Sequence, residues 1–170
     1  MTGLMRAIRP ALAGCLLLAG ALPAAEPPRI TIEFAPAAAE KMQTFGEEER
    51  ATLEAAIRTA LRRETAKAPA AAGVEIAVTV EDLAPTHPTR AQLAANPAAS
   101  AAQTKFLGGA ALTAELRDAN HHVLRSVKHD YSARTLGLGS SSLDPWADAR
   151  LAIDQFAVKV AAAYRDLPRS

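Results

Sequence analysis

An alternating stretch over residues 108–133 constrains the fold of this chain more than any other segment. Leu112, Ala114 and Leu116 occupy every second position of its first half, with polar residues between them. Because successive side chains of a strand point to opposite sides of a sheet, this arm is predicted to be half buried. Residues 118–122, of which four are polar, then interrupt the pattern before a second alternating run begins. The stretch therefore predicts an antiparallel hairpin with one face toward a core.

The second arm of this hairpin does not alternate cleanly. Val123, Val127 and Tyr131 have one parity, but Arg125 and His129 share it. Strict alternation would therefore direct two polar side chains toward the core. Two arrangements resolve this conflict: a β-bulge that shifts the register, or a position of this arm at the edge of the sheet.

Two further strands and a helix are predicted before the hairpin. Residues 29–34 and 74–81 alternate between apolar and polar side chains, as half-buried strands do. Between them, residues 47–65 carry acids at the start, arginines near the end and one apolar stripe, which is typical of an amphipathic helix. We expect Thr44 and Glu47 to form a capping box at its start. A strand, a helix and a strand in this order predict parallel pairing.

A terminal helix is predicted after Asp144, the expected cap, and Pro145, the expected first residue. Only 4% of the residues are aromatic, so Trp146, Ile153 and Phe156 are expected to anchor the core. Apolar side chains recur in this helix at spacings of three and four: Trp146, Ala149, Ile153, Phe156, Val160 and Tyr164.

Together these segments predict an α+β fold. The expected architecture is a single domain over residues 26–170 with the order strand, helix, strand, long loop, two strands and helix. The expected mixed sheet has about four strands, with both helices packed on one face.

The first 25 residues have the layout of a secretory signal peptide. A short basic region with Arg6 and Arg9 precedes an apolar run, which is followed by the small residues typical of a signal-peptide cleavage site. The run is too short to span a bilayer as a stable anchor. Cleavage after Ala21 and cleavage near Ala24 or Ala25 both fit the sequence. The expected location is therefore periplasmic or secreted.

Lipidation is the alternative for the same region. Residues 12–15 spell a bacterial lipobox, in which Cys15 would become the lipidated first residue of a membrane-anchored lipoprotein. The box lies in the middle of the apolar run instead of at its end, which favours ordinary cleavage. An uncleaved anchor is the third alternative.

Charge and cysteine content exclude several classes of function. Loss of the first 25 residues would remove two of 19 basic residues and none of 18 acidic ones, leaving a net charge of −1. A nearly neutral chain is a poor electrostatic partner for nucleic acid. Since Cys15 is the single cysteine, ordinary cleavage would also exclude disulfides, cysteine–zinc sites and cysteine nucleophiles. No motif predicts a cofactor.

The long connection over residues 86–105 is the candidate binding loop. The segments on either side are explained by core formation, whereas this one contains prolines and the polar side chains of Arg90, Gln92 and Asn96. A simple linker would not need such donors and acceptors. Long loops inside compact domains are either functional or tolerated insertions, and both alternatives stay open here.

The four histidines are candidates for an alternative, metal-dependent or hydrolytic function. They are His87, His121, His122 and His129. The adjacent pair at 121–122 would point apart in a turn, and no spacing matches a recognised zinc site. His129 and Asp130 could form an acid–base pair only with a nucleophile placed by the fold, and the serines at 140–142 lack a nucleophile elbow. A solvated turn is the favoured interpretation of the histidine pair, and a flexible loop is the favoured interpretation of the serines.

Three motifs lie in the second half of the chain: Pro88-Thr89-Arg90-x-Gln92-Leu93, Gly108-Gly109-Ala110, and Pro145-Trp146-x-Asp148-Ala149 with Asp154 and Phe156. Together they resemble those of a group of small exported proteins of Gram-negative bacteria, mostly domains of unknown function and often lipoproteins. The resemblance covers residues 84–164 and implies an envelope location and an α+β fold, with no assigned activity. We therefore expect a non-enzymatic periplasmic or envelope-associated accessory protein with an unknown partner; the alternative is a small exported metal-binding protein or hydrolase.

Overall fold

Four strands form one open mixed sheet in a computed structural model that describes residues 27–68, 73–96, 98–100, 104, 106–134 and 143–168. The strands lie side by side in chain order, with β1 parallel to β2 and each later pair antiparallel. This arrangement confirms the predicted α+β class and mixed sheet. The strands are β1 (Arg29–Phe34), β2 (Glu75–Ala84), β3 (Gly109–Arg117) and β4 (Val123–Ser132).

The described residues form four helices, two more than the sequence predicted. Helices α2 and α4 pack against each other over one face of the sheet, as expected, whereas α1 and α3 are short additions. The opposite face of the sheet carries mostly polar and charged side chains. The helices are α1 (Pro36–Phe45), α2 (Glu47–Thr65), α3 (Arg90–Ala95) and α4 (Ala147–Arg165).

The predicted capping box of Thr44 and Glu47 is wrong, because a helix already occupies the preceding residues. Pro36 lies at the start of α1. A backbone N–H at this position would have no intrahelical acceptor, so proline, which lacks this group, is tolerated there. The Thr44 hydroxyl donates to the Lys41 carbonyl, 2.7 Å away, inside this helix. Gly46 ends α1 and begins α2 with a φ of 105°, a backbone conformation that favours glycine.

The core lies between the sheet and the helices, and it follows the predicted alternation. The inward side chains of β2 and β3 are at most 2% exposed: Ile76, Val78, Val80, Leu112, Ala114 and Leu116. The apolar stripe of α4 is equally buried. Trp146, the N-cap residue of α4, meets Phe45 edge to face at 5.4 Å between ring centroids and donates its indole N–H to Glu49 Oε2 at 2.6 Å.

The second arm of the hairpin combines both arrangements that the sequence allowed. As β4 it is the outermost strand, and its register with β3 shifts by one residue at Leu124. Val123 therefore pairs with Arg117 on the open face, while Arg125 pairs with Leu116 on the helix face. An edge position leaves Arg125 exposed, so a charged side chain is tolerated there.

The turn between β3 and β4 is organised by Asp118. Its carboxylate accepts from the backbone N–H groups of His122 at 2.9 Å and Asn120 at 2.8 Å. These hydrogen bonds, the one from His122 first, hold the pKa of Asp118 below its usual value. His121 takes the left-handed conformation of this turn, with a φ of 63°.

Some of the predicted features lie outside the described residues. They include the signal region at 1–25 with Cys15, and the glycine- and serine-containing connector at 137–142. In the described part of the chain, no helix combines the length and apolarity needed to cross a bilayer.

Candidate functional site

A buried stretch, residues 85–89, contains the start of the candidate loop, and we call it the anchor segment. Thr86 fixes it to the start of α4. Its backbone N–H donates to the Pro145 carbonyl at 2.6 Å, and its hydroxyl donates to Asp148 Oδ2 at 3.0 Å. The same hydroxyl oxygen accepts from the Asp148 N–H at 3.2 Å. The anchor segment is therefore part of the packed structure and not a free linker.

The C-terminal end of the loop contacts the anchor segment again. The Phe106 N–H donates to the Thr86 carbonyl at 2.8 Å, and His87 Nδ1 lies 3.1 Å from the Thr104 carbonyl. At Gly108, an added Cβ would lie 2.4 Å from Thr86 Oγ1, so only glycine fits this close approach. Both ends of the loop are thus held close to the start of α4.

Helix α3 begins directly after the anchor segment. Thr89 Oγ1 accepts from the Gln92 N–H at 3.3 Å, and Gln92 Oε1 accepts from the Thr89 N–H at 3.0 Å, which is a complete capping box. The spacing Thr-x-x-Gln was visible in the sequence and would have revealed this helix. The buried cap fixes α3 at its first turn while all six of its residues remain at least partly exposed.

An open groove of about 770 Å³ separates α3 from the end of α1. Alanines, Pro88 and Phe106 form its apolar walls, while amide and hydroxyl side chains supply its polar groups. None of the described lining residues is ionisable. The lining consists of Gln43, Thr44, Pro88, Ala91, Gln92, Ala95, Asn96, Ala98, Ala99, Thr104 and Phe106.

Two of the three candidate loop residues lie at this groove. Gln92 and Asn96 line it, whereas Arg90 is exposed and is not among its lining residues. Gln92 also has a structural role, since its carbonyl oxygen completes the cap of α3 and leaves its NH₂ group to donate elsewhere. Sequence reasoning did not identify Gln43 and Thr44, which belong to the helix that it missed.

The four candidate histidines have separate environments. His87 is buried in the anchor segment. His121 Nδ1 lies 3.4 Å from Glu75, and His122 Nδ1 lies 3.2 Å from Asp118, so the adjacent imidazoles approach different carboxylates, as expected for a turn. Within the described residues, no group of three or more histidine, aspartate or glutamate side chains is arranged to hold a metal ion.

His129 is buried on β4 beside a lysine of α4. It is 7% exposed, and its Nδ1 lies 2.8 Å from Lys159 Nζ. Because an ammonium group can only donate, Nδ1 accepts and the ring proton belongs on Nε2, which has no partner among the described residues. Burial and then the charge of Lys159 lower the pKa of His129, against smaller opposing effects of Gln155 and Asp130. The imidazole is therefore neutral at pH 7.

We expect this environment to make the fold less stable in mild acid. In the unfolded chain His129 regains its ordinary pKa of about 6.5, so below that pH the unfolded state binds more protons than the folded state. The stability linked to His129 is complete above pH 6.5 and declines as the pH falls toward the lowered pKa. Urea titrations between about pH 7 and pH 5 should show a shallower decline for His129→Gln than for the wild type. Equal slopes would contradict this assignment.

Comparisons with known proteins leave the groove as the main guide to function. No protein-family model, no curated protein and no solved structure matched this chain.

Proposed function

We propose that this protein is a non-enzymatic binding protein of the bacterial envelope, and that the groove between α1 and α3 takes an uncharged, extended peptide segment of an envelope partner. The observation that carries the proposal is the groove itself: an apolar cleft, rimmed by amides and hydroxyls, whose described lining holds no ionisable group.

The apolar part of the groove suits side chains of moderate size. The small side chains of Ala91 and Ala95 on α3 leave space in the groove that larger side chains would fill. Phe106, at the opposite end of the loop, is 42% exposed to solvent. Covering an exposed aromatic ring and an alanine wall with an apolar ligand removes this surface from water, which is the main favourable term in such binding.

The polar part of the groove suits a peptide backbone. The side chains of Gln43 and Asn96 each carry both a donor and an acceptor, which is also the hydrogen-bonding pattern of a peptide unit. A charged ligand would lose hydration here without gaining an opposite charge from the described lining. A neutral main chain with small apolar side chains meets both requirements.

The anchor segment supports the proposal through rigidity. Because Thr86 and the capping box of Thr89 and Gln92 already hold α3 in place, the α3 wall of the groove has little conformational entropy to lose when a ligand enters. The metal-binding or hydrolytic alternative has weaker support, since His121 and His122 approach separate carboxylates at the far turn of the hairpin.

A peptide array with matched variants tests this proposal. The probe is a set of capped, uncharged peptides of about ten residues, long enough to cross the groove in an extended conformation. Ala95 and Ala94 are neighbouring exposed residues of α3, but only Ala95 lines the groove. Ala95→Arg should therefore weaken binding by about tenfold or more, while Ala94→Arg should leave it unchanged. Absence of binding, or equal effects of the two variants, would contradict the proposal.

The envelope location rests on the N-terminal sequence and has its own test. We expect the protein recovered from the envelope fraction to lack its first 21 to 25 residues, because Arg6, Arg9 and the following apolar run have the layout of a signal peptide. Intact mass spectrometry measures this directly. A diacylglyceryl adduct on Cys15 would replace this account with the lipoprotein alternative, and a full-length mass in the cytosol would contradict export.

A further inference from the structure

The two edges of the sheet differ in a way that concerns assembly. The β1 edge is six residues long, and Arg58 Nη1 donates to the Ile30 carbonyl at 2.7 Å, which partly caps it. The β4 edge is ten residues long and ends the sheet. In the described part of the chain, no group outside β3 bonds to the β4 backbone. Such an edge can accept another strand.

The register with β3 shows which β4 residues offer their backbone groups outward. The Ala133 N–H donates to the Gly108 carbonyl at 2.9 Å, directly opposite it in the antiparallel ladder. Since hydrogen-bonded pairs alternate along such a ladder, the odd-numbered residues from 125 to 133 direct their backbone groups at β3. The outward groups belong to the even-numbered residues: Ser126, Lys128, Asp130 and Ser132.

We propose that the β4 edge pairs antiparallel with the β4 edge of a second copy, about a twofold axis at His129, to give one continuous sheet across a homodimer. This register sets Lys128 opposite Asp130 of the second copy, and Asp130 opposite its Lys128. It also sets Ser126 opposite Ser132, so all of the outward backbone groups meet each other.

Charge selects this register over its neighbours. A twofold axis at residue 128 would place two lysines opposite each other, and an axis at 130 would place two aspartates opposite each other. An axis at 127 or 131 would leave Lys128 and Asp130 without an opposite charge. Like charges directly opposite in a sheet are destabilising, whereas opposite charges stabilise the pair. Lys128 and Asp130 thus favour the axis at residue 129 over each neighbouring axis, and they oppose the axes at 128 and 130.

The helix face of β4 is also compatible with this register. Val127 and Tyr131 are only partly buried in the single chain. In the dimer, Val127 would lie opposite Tyr131 of the second copy, and Tyr131 would lie opposite its Val127. The two His129 rings would face each other at the axis. Because burial and Lys159 lower the pKa of His129, both rings are neutral at pH 7 and do not repel each other.

A charge-swap cycle followed by sedimentation equilibrium tests both the dimer and its register. The wild-type protein should show a concentration-dependent monomer–dimer equilibrium. Lys128→Asp and Asp130→Lys should each weaken dimerisation by about tenfold or more, because each replaces two opposite-charge pairs by two like-charge pairs. The double variant, with the two charges exchanged, should restore the wild-type dissociation constant. Glu33→Lys, an exposed reversal on β1, is the matched control and should have no effect.

Two results would overturn the proposal. One is a monomer at every concentration up to the solubility limit. The other is a dimer whose affinity is not restored in the double variant, since restoration requires residues 128 and 130 to face each other. Because these side chains are exposed, circular dichroism should show the same folded spectrum for all variants, which separates lost dimerisation from lost folding.

Discussion

Replacing Phe156 with alanine is expected to lower the free energy of unfolding by about 3–5 kcal/mol. The Phe156 ring is 0% exposed, and it lies in the centre of the α4 stripe that covers β3 and β4. Its removal loses both the transfer free energy of the ring and the packing around it. Since domains of this size are stable by about 5–15 kcal/mol, this loss should be visible in any denaturant titration.

A nearby residue provides the control for this substitution. Val158 is on the same helix but is 55% exposed, so Val158→Ala should change the free energy of unfolding by no more than about 0.5 kcal/mol. If Phe156→Ala were equally mild, the α4 stripe would have to be interpreted as a partner surface instead of a core.

The second large effect is expected at Trp146, where α4 meets both α1 and α2. Trp146→Ala should destabilise the fold by about 3–5 kcal/mol, because it removes a ring that is 1% exposed and takes the indole donor away from Glu49. Urea titration measures this difference. A variant within about 1 kcal/mol of the wild type would contradict the central position of this ring.

Trp146→Phe separates the two contributions of this residue. Phenylalanine can keep an edge-to-face contact with Phe45 but cannot donate to Glu49. Its expected cost is therefore smaller, about 1–3 kcal/mol for the lost charge-assisted hydrogen bond. Equal losses for the alanine and phenylalanine variants would show that the hydrogen bond, and not the ring packing, dominates.

The regular parts of the fold could be predicted because their burial leaves a periodic pattern. Leu112, Ala114 and Leu116 alternate since one face of β3 meets the helices and the other meets water. The irregularity at Arg125 and His129 was equally informative. It predicted an edge or a bulge: the edge position of β4 accounts for Arg125, whereas the bulge at Leu124 leaves both residues on the helix face, where His129 is buried.

The missed elements lack such a pattern. Helix α1 is rich in alanine, so its buried face at Ala38, Met42 and Phe45 is hard to distinguish from its exposed face. Helix α3 has no buried residue and hence no apolar stripe. Its capping box at Thr89 and Gln92 was the local signal that sequence reasoning overlooked.

The groove could not be predicted, because it requires contacts between distant segments. Gln92 and Asn96 were selected for their polarity alone, and Arg90 was selected with them although it does not line the groove. Gln43 and Thr44 face them from a helix about 50 residues earlier in the chain. The attachment of Thr86 to Asp148 helps to fix where α3 lies, and a single sequence does not reveal such a long-range pair.

The most direct test of the proposed function is a backbone amide NMR titration of the labelled protein with the strongest-binding uncharged peptide from the array. We expect the chemical-shift changes to concentrate at Gln43 and Thr44 in α1 and at Ala91, Ala95 and Asn96 in α3, and to disappear in Ala95→Arg. Changes centred on β4 or on the open face of the sheet, or changes that persist in Ala95→Arg, would contradict the assignment of the groove as the binding site.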